Sequence, residues 1–475
     1  MAWGCAASAA LEKDFVSSDC ALAKSKGVMP DEEEVSPEQA DATIQSRGFV
    51  VLLFLAAIVG VFVSLAAWCF LELINQIQRG VYVHLPSDLG YHHGPPLWWS
   101  LPVLALAGLI TAFAIERLPG NGGHIPADGL STAGGPTLPV ALSGVILAAL
   151  ATIGLGVVLG PEAPLIALGS GLGVLTIRLA RSDAPPQVAT VLAAAGSFAA
   201  ASFLFQSPLI AAVIMLEVAG LGGPKLTLVL LPGLLASGIG DLVSVGMGSW
   251  TGLSTSAYAL GPVEGLAKFV RPDIADFGWT IALALAVALA CVLMVSIGRR
   301  IVGVVAVRRF MLLPAAGLIV AGLAIAFQQA TGKPFQEVLF SGQAAIPGLV
   351  TKAGTWSIGT LALLIVFKGI AYSLSLGSFR GGPTFPALFL GATAGLMAGQ
   401  LPGYSITPAI AVGMAAAVAV VLRLPLSAIV IAALLTAGSG AGSEPLVIVG
   451  TIVAYMVGRT LLAPPAAAAP AAARG

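Results

Sequence analysis

The sequence has very little charge. Asp, Glu, Lys and Arg together make up 9% of the 475 residues, whereas 57% are hydrophobic, and the mean hydropathy is +0.98. A soluble domain carries about 25% charged residues, so this composition excludes a soluble globular chain and indicates one that lies in a lipid bilayer. The 22 basic residues balance the 22 acidic ones. The composition therefore gives no sign of a strongly basic or acidic surface, and it does not indicate a nucleic-acid partner.

Cysteines and catalytic signatures are also scarce. The four cysteines lie far apart and form no CxxC, so neither a disulfide framework nor a metal site is predicted. The sequence contains no HExxH, no GxSxG and no phosphate-binding P-loop, since Phe327 stands where a P-loop ending at Gly332-Lys333 would need its first glycine. We expect a protein that is not an enzyme and needs no cofactor.

Apolar segments recur along the chain, and several are shorter than the roughly 20 residues that cross hydrocarbon. Short segments broken by Gly and Pro are typical of helices that enter the membrane partway. The predicted fold is therefore an all-α membrane protein of tilted and partially spanning helices. The segments are 48–74, 98–117, 138–158, 164–180, 187–204, 206–220, 224–245, 277–297, 310–328, 357–376, 385–400, 407–422, 424–437 and 444–463.

The two ends of the chain differ from this membrane region, which we place at 47–463. Residues 1–46 are polar and partly acidic, and they predict a disordered cytosolic tail. Residues 464–475 are rich in Ala and Pro and predict a second disordered tail. The basic loop that contains Arg299-Arg300 and Arg308-Arg309 is the strongest cytoplasmic marker.

An internal repeat is visible in the apolar region. FQSPLIAAVIMLE resembles LRLPLSAIVIAAL, which aligns Pro208 with Pro425, and GPEAPLIALGSGLG resembles GGPTFPALFLGATAG, which aligns Pro164 with Pro386. The two separations, 217 and 222 residues, nearly agree. We predict two halves of similar design, at about 98–245 and 277–463, with a binding site at their junction.

One acidic residue stands alone in the first half. Between Asp128 and Arg178 the only ionisable acid or base is Glu162, within the loop Gly160–Pro164. An irregular loop inside hydrocarbon is tolerated only where protein buries it or where it lines a wet cavity, and an acid there indicates a functional site. The alternative is a structural carboxylate.

Three Gly/Pro-rich loops share this character: 120–126, 160–164 and 381–386. Each precedes an apolar segment, and the free N–H groups of a helix's first turn attract anions. If these loops converge, their amides form an anion site without a full positive charge, which lets an ion bind and still leave. Glu162 then competes with the ion when charged and withdraws when protonated, as a gate.

These loops resemble those of the CLC chloride channels and chloride/proton exchangers, over about residues 48–463. GPEAP resembles the family's G-(K/R)-E-G-P, GGHIP its G-S-G-I-P and GGPTFP its G-x-F-x-P. The resemblance implies a homodimer in the lipid bilayer, one chloride pore per subunit and two inverted repeats, here without C-terminal nucleotide-binding domains. It assigns the gate to Glu162 and anion binding to Gly122, Gly123, His124, Ile125, Gly160, Ala163, Thr384 and Phe385.

The departures from the family pattern bear on selectivity. Pro161 and Ala163 replace a basic residue and a glycine, and Gly123 stands where the family has a chloride-binding serine. His124 is either an anion donor or an ordinary loop histidine. Thr384 falls on the third loop's phenylalanine position and adds a hydroxyl. The family's pore tyrosine has no match, and Tyr455 does not align with it.

The expected mechanism depends on a further position. The family's exchangers relay protons through a cytoplasmic acid that aligns with Val218, next to Glu217, which is usually structural. The expected function is therefore voltage-gated or otherwise channel-like, passive chloride conduction across a bacterial plasma (inner) membrane. The alternatives are a chloride/proton antiporter, a fluoride-selective exchanger, or an unrelated inverted-repeat transporter.

Overall fold

The computed structural model describes residues 36–130, 135–180, 185–220, 223–253 and 261–462. Regular structure in these ranges is helical, apart from a two-residue antiparallel contact between Gly160 and Gly382. The helices are α1 (Pro37–Ile44), α2 (Arg47–Arg79), α3 (Leu85–Asp88), α4 (Ser100–Arg117), α5 (Leu142–Gly154), α6 (Glu162–Ala180), α7 (Pro186–Phe205), α8 (Pro208–Ala219), α9 (Pro224–Thr251), α10 (Ile274–Ala306), α11 (Arg309–Thr331), α12 (Ile346–Thr351), α13 (Ile358–Ser378), α14 (Thr384–Ala398), α15 (Ile406–Leu422), α16 (Pro425–Leu435) and α17 (Glu444–Leu461).

The described chain contains both long and short apolar helices, as the segment lengths predicted. Nine helical stretches of the described chain are long and apolar enough to cross a membrane; they contain α2, α4, α6, α7, α9, α10, α11, α13 and α17. The apolar helices α5, α8, α14, α15 and α16 are shorter. The short α14 and α15 are buried on nearly every face, which is typical of helices inside a bundle. The chain is an integral, multi-pass membrane protein.

Two details of the predicted boundaries are wrong. Residues 37–44 form helix α1 instead of disordered chain, because Ser36 and Gln39 cap its first turn reciprocally. Helix α6 begins at Glu162, two residues before Pro164, because the Leu165 N–H already bonds the Pro161 carbonyl at 3.0 Å. Pro164 is still tolerated, since the first N–H groups of a helix have no partner within it. Residues 1–35 and 464–475 lie outside the described ranges.

The predicted repeat is present in the helix packing. In the first half α6 crosses α7 where Gly169 and Gly196 touch, and a Cβ on either glycine would overlap the carbonyl of the other. In the second half α14 crosses α15 at Gly391 and Gly413 in the same way. These pairs are separated by 222 and 217 residues, the separations of the aligned prolines.

The chain path between paired helices repeats as well. Gln206 and Arg423 both adopt left-handed backbone conformations, with φ of 48° and 61°, two residues before the proline that opens α8 or α16. An L-residue seldom adopts this conformation without a constraint. Its recurrence 217 residues apart supports two halves that fold alike.

Candidate functional site

The carboxylate of Glu162 lies at the junction of the two halves. Glu162 opens α6 and is completely buried. Its Oε1 accepts a hydrogen bond from the backbone N–H of Phe385, in the first turn of α14, at 2.7 Å. Its Oε2 has no hydrogen-bond partner in the described part of the chain. Because a helix N-terminus attracts negative charge, the carboxylate occupies a position that suits an anion.

Two glycines make room for this carboxylate. Gly160 and Gly382 exchange backbone hydrogen bonds of 2.7 and 2.6 Å, which join the second loop to the third. A Cβ atom on either glycine would overlap Glu162 Oε2. Neither residue has a positive φ, so the space taken by the carboxylate, and not the backbone conformation, demands glycine here.

The other site candidates of these two loops lie close by. Ala163 is buried in the first turn of α6. Thr384 is buried in the first turn of α14, and its hydroxyl lies close enough to the Glu162 carboxylate to interact with it. The ring of Phe385 packs edge-on against Phe205, with centroids 5.5 Å apart. A buried hydroxyl beside a carboxylate adds a neutral hydrogen-bond donor at this position.

The start of α14 is fixed from α13. The Tyr372 hydroxyl donates a 2.6 Å hydrogen bond to the Pro383 carbonyl, the residue that precedes α14. Tyr372 is completely buried. Since a buried phenol stabilises a structure only when its hydroxyl is bonded, this contact holds the N-terminus of α14 against the site.

The first loop does not join Glu162 directly. Within the described residues its polar contacts lead elsewhere: the His124 imidazole bonds the Gly129 carbonyl through Nε2. Gly123 packs against Val145, and Ile125 is partly buried against the core. The contact of His124 with its own loop favours the interpretation of an ordinary loop histidine over that of an anion donor.

Arg380 links the first loop to the third. It is only 8% exposed, its Nε donates to the Asn121 carbonyl at 3.4 Å, and its Nη1 donates to the Phe379 carbonyl at 3.1 Å. Its Cγ lies against Gly122. The three loops are thus connected by contacts in space. The Gly160–Gly382 pair joins the second loop to the third, and Arg380 joins the third loop to the first.

Sequence reasoning missed another buried charged residue, Lys368 of α13. It is completely buried, and its Nζ lies within 3.3 Å of four consecutive carbonyls, those of residues 337–340. Lys368 is the only charged residue between Lys352 and Arg380. The argument that singled out Glu162, a lone charge in an apolar segment, applies to Lys368 equally well.

Comparisons with known proteins agree with this architecture. The sequence profile of the voltage-gated chloride channel family matches residues 41–222 and 107–459. The Escherichia coli O1:K1 protein named "Putative ion-transport protein YfeO" is 29% identical over 361 residues, which cover 74% of this chain and 80% of that protein. A protein of the same name from Shigella boydii serotype 4 gives the same identity and coverage.

Solved structures share the fold at lower identity. A slow cyanobacterial chloride/proton antiporter superposes with a TM-score of 0.70 and 18% identity, over 86% of this chain and 94% of that one. A CLC-type fluoride/proton antiporter gives 0.64 and 18%, over 87% and 96%. The family profile spans nearly all of the helices. The two repeated halves and the buried glutamate between them agree with that match. The chain belongs to the voltage-gated chloride channel (CLC) family, whose members transport anions across membranes.

Proposed function

We propose that this protein conducts chloride passively through a pore gated by Glu162. The observation that carries the proposal is the buried carboxylate bonded to the Phe385 N–H at the start of α14. The carboxylate and a chloride ion compete for the same main-chain donors. When the carboxylate is charged it occupies the site, and when it is protonated its attraction to the helix end falls and an ion can replace it.

The donors around the gate suit rapid transport. They are the Phe385 backbone N–H and the Thr384 hydroxyl, which carry partial charges only. An ion must bind well enough to shed water and weakly enough to leave. Gly160 and Ala163 lie beside this carboxylate, and Gly122, Gly123 and Ile125 of the first loop extend the proposed anion path through backbone groups; the His124 side chain, which bonds the Gly129 carbonyl, is left out of it.

Proton coupling lacks a carrier at the expected place. Glu217 accepts hydrogen bonds from the Leu426 N–H at 3.0 Å, the Ser427 N–H at 2.7 Å and the Ser427 hydroxyl at 2.6 Å. It therefore serves as a structural tie between α8 and α16. The next residue, Val218, is partly buried and cannot bind a proton. These two residues favour channel-like conduction over stoichiometric exchange.

A flux assay with a pH readout tests this proposal. Purified protein in liposomes loaded with KCl should release chloride when valinomycin is added, with little proton uptake in the opposite direction. Liposomes without protein provide the control. Proton movement in a fixed ratio to chloride, driven uphill by a chloride gradient, would contradict passive conduction and indicate the antiporter. Replacing chloride with fluoride in the same vesicles identifies a fluoride-selective exchanger, the other alternative.

We further propose that the protein works as a homodimer in a bacterial inner membrane. Helices α8 and α16 are too short to cross a bilayer, yet Leu209 and Leu426 in their first turns are 63% and 54% exposed. An apolar face on short helices requires a cover, and a second copy would supply it. Light scattering in detergent should give twice the 47.6 kDa chain mass; a monomer mass would contradict the dimer.

A further inference from the structure

Three arginines from distant parts of the sequence meet at the cytoplasmic end of the bundle. Arg299 lies near the end of α10, Arg423 directly follows α15, and Arg459 lies in the last turn of α17. Helix α10 runs into the basic loop that marks the cytoplasmic side, so the other two arginines face the cytoplasm as well. We call these three residues the guanidinium cluster.

Two members of the guanidinium cluster converge on one carbonyl oxygen. The Arg299 Nη1 and the Arg423 Nη2 both donate to the Leu462 carbonyl, at 3.2 and 3.3 Å. The Arg299 Nε also donates to the Ala127 carbonyl of the first loop at 3.3 Å. A neutral carbonyl carries only a partial negative charge, so it does not balance two full positive charges that repel each other at this separation.

The positive charge of the cluster is not balanced by acids either. None of its members forms an ion pair with a carboxylate among the described residues. Burial lowers the pKa of Arg423, the charges of Arg299 and Arg459 lower it further, and the more distant carboxylate of Asp128 opposes them. The same carboxylate also acts on Arg380. At least two positive charges of the cluster therefore remain without a counter-charge in the described part of the chain.

The cluster also keeps most of its hydrogen-bond donors. A guanidinium group has five N–H donors. Within the described residues Arg299 uses two of them, Arg423 uses one and Arg459 uses none. Arg459 is exposed, and the other two side chains are half-buried. An anion therefore has access to the cluster from the cytoplasmic side.

The chemistry of these donors favours an oxyanion. Planar guanidinium groups match the spacing of two oxygens on a phosphate and bind them in pairs. A phosphate monoester carries a charge of about −1.5 to −2 near neutral pH, which fits the excess charge of the cluster. Full charges that converge on one ion hold it too tightly for rapid transport. The cluster is therefore suited to a resident ligand, in contrast to the partial charges around Glu162.

We propose that the guanidinium cluster is a cytoplasmic binding site for a phosphate group. The phosphate belongs to a soluble phosphate or to the headgroup of an anionic lipid, since basic pockets between helices on the cytoplasmic side bind such headgroups. Bound there, it would neutralise the repulsion between Arg299 and Arg423 and would tie the first loop to the ends of α10 and α17. The inference does not depend on chloride conduction.

The test is a calorimetric titration of inorganic phosphate into the purified full chain in detergent, near neutral pH. Gluconate replaces chloride and keeps the ionic strength constant. The wild type should show saturable binding, and Arg423→Gln should weaken it at least about tenfold, because a charge-assisted hydrogen bond is lost. The matched control is Arg300→Gln, since Arg300 is an exposed neighbour of Arg299 in the same basic segment. It should change the dissociation constant less than about twofold.

A second variant decides the matter if Arg423→Gln does not fold. Arg459 is exposed at the end of α17, so Arg459→Gln should leave the fold intact and should weaken phosphate binding about threefold. Wild-type affinity in every folded variant of Arg423 and Arg459 would overturn the inference. An equal loss in Arg300→Gln would overturn it too, because the binding would then reflect the charge of the whole surface.

A melting experiment identifies the source of the phosphate. The protein is heated in mixed micelles that contain phosphatidic acid or, as the control, phosphatidylcholine. A ligand that binds the folded state raises the melting temperature. A rise with phosphatidic acid that is lost in Arg459→Gln indicates a lipid headgroup, and saturable binding of inorganic phosphate indicates a soluble ligand. Absence of both effects in the wild type would defeat the site.

The same measurements keep this inference apart from the proposed function. Neither assay contains chloride or measures transport. Protein that binds phosphate through the guanidinium cluster but conducts no chloride would defeat the proposed function and keep the site. Protein that conducts chloride but binds neither phosphate probe would keep the function and defeat the site.

Discussion

Chloride flux through Glu162→Gln is expected to lose its pH dependence. The Glu162 carboxylate accepts a hydrogen bond from the Phe385 N–H, and in the proposed mechanism its charged form occupies the anion position. A hydrogen bond to a charged group contributes about 1.5–3 kcal/mol, which corresponds to roughly a 10- to 150-fold preference for the occupied site. Acid neutralises the carboxylate and removes that preference. Gln has nearly the same shape and never carries the charge.

The expected profile follows from this argument. Wild-type flux should rise at least about tenfold between pH 7.5 and pH 4.5, because protonation favours release of the gate. Flux through Glu162→Gln should vary less than about twofold over the same range and should match or exceed the acidic wild-type value. Fluxes are measured in liposomes at a fixed chloride gradient and membrane potential.

The control is Glu264→Gln, an exposed acid in the loop before α10. It should retain the wild-type profile, since its charge lies in solvent and is screened. A Glu162→Gln protein that is folded, transports chloride and keeps the wild-type acid activation would remove Glu162 as the gate. The carboxylate would then be the structural group that the sequence left open as the alternative.

The buried carboxylate and the repeat were predictable from sequence for separate reasons. Glu162 is the only ionisable acid or base in a 49-residue stretch between Asp128 and Arg178, and a charge is costly in hydrocarbon unless it has a use. The repeat was visible because Pro and Gly have few substitutes where a helix begins or where two helices touch. The glycine contacts at Gly169 and Gly391 recur at the separation found for the prolines.

The polar contacts between distant segments were not predictable. Lys368 is held by carbonyls 28 to 31 residues earlier in the chain, and its own segment carries no sign of that partner. Likewise Arg380 lies beside the third loop in sequence, but its bond to Asn121 joins segments 259 residues apart. Composition and periodicity indicate whether a segment lies in the membrane. They do not indicate which distant loop packs against that segment.

The first loop is a similar case. Its glycines and proline have the pattern of the other two loops, so convergence on Glu162 was the natural expectation. The left-handed conformations of Gly120, Asn121, Gly122 and Gly123 instead give a tight turn. That turn directs His124 back to the carbonyl of Gly129. Loops of the same composition can therefore lie at different distances from the Glu162 carboxylate.

Gly382→Ala is expected to reproduce the effect of Glu162→Gln although the acid is still present. The φ of Gly382 is one that alanine adopts, so the backbone pairing with Gly160 can be kept. The new methyl group would overlap Glu162 Oε2, and it would lie 3.0 Å from the Cβ atom of Glu162. Atoms cannot share that space, and core overpacking costs about 1–3 kcal/mol. We expect the Glu162 carboxylate to move away from the new methyl group, because a rotation about the side-chain bonds of Glu162 is enough to displace it.

A double-mutant cycle separates this effect from general damage. In a Glu162→Ala background the carboxylate is absent, so adding Gly382→Ala should change flux and thermal stability by less than about a quarter of its effect in the wild type. Gly322→Ala in α11, where a methyl group meets no neighbouring atom, is the matched control and should leave the pH profile intact. If Gly382→Ala keeps the wild-type acid activation, the carboxylate has no need of the space beside Gly382 when the pore is closed. If it impairs flux equally with and without Glu162, the glycine serves the loop and not the gate.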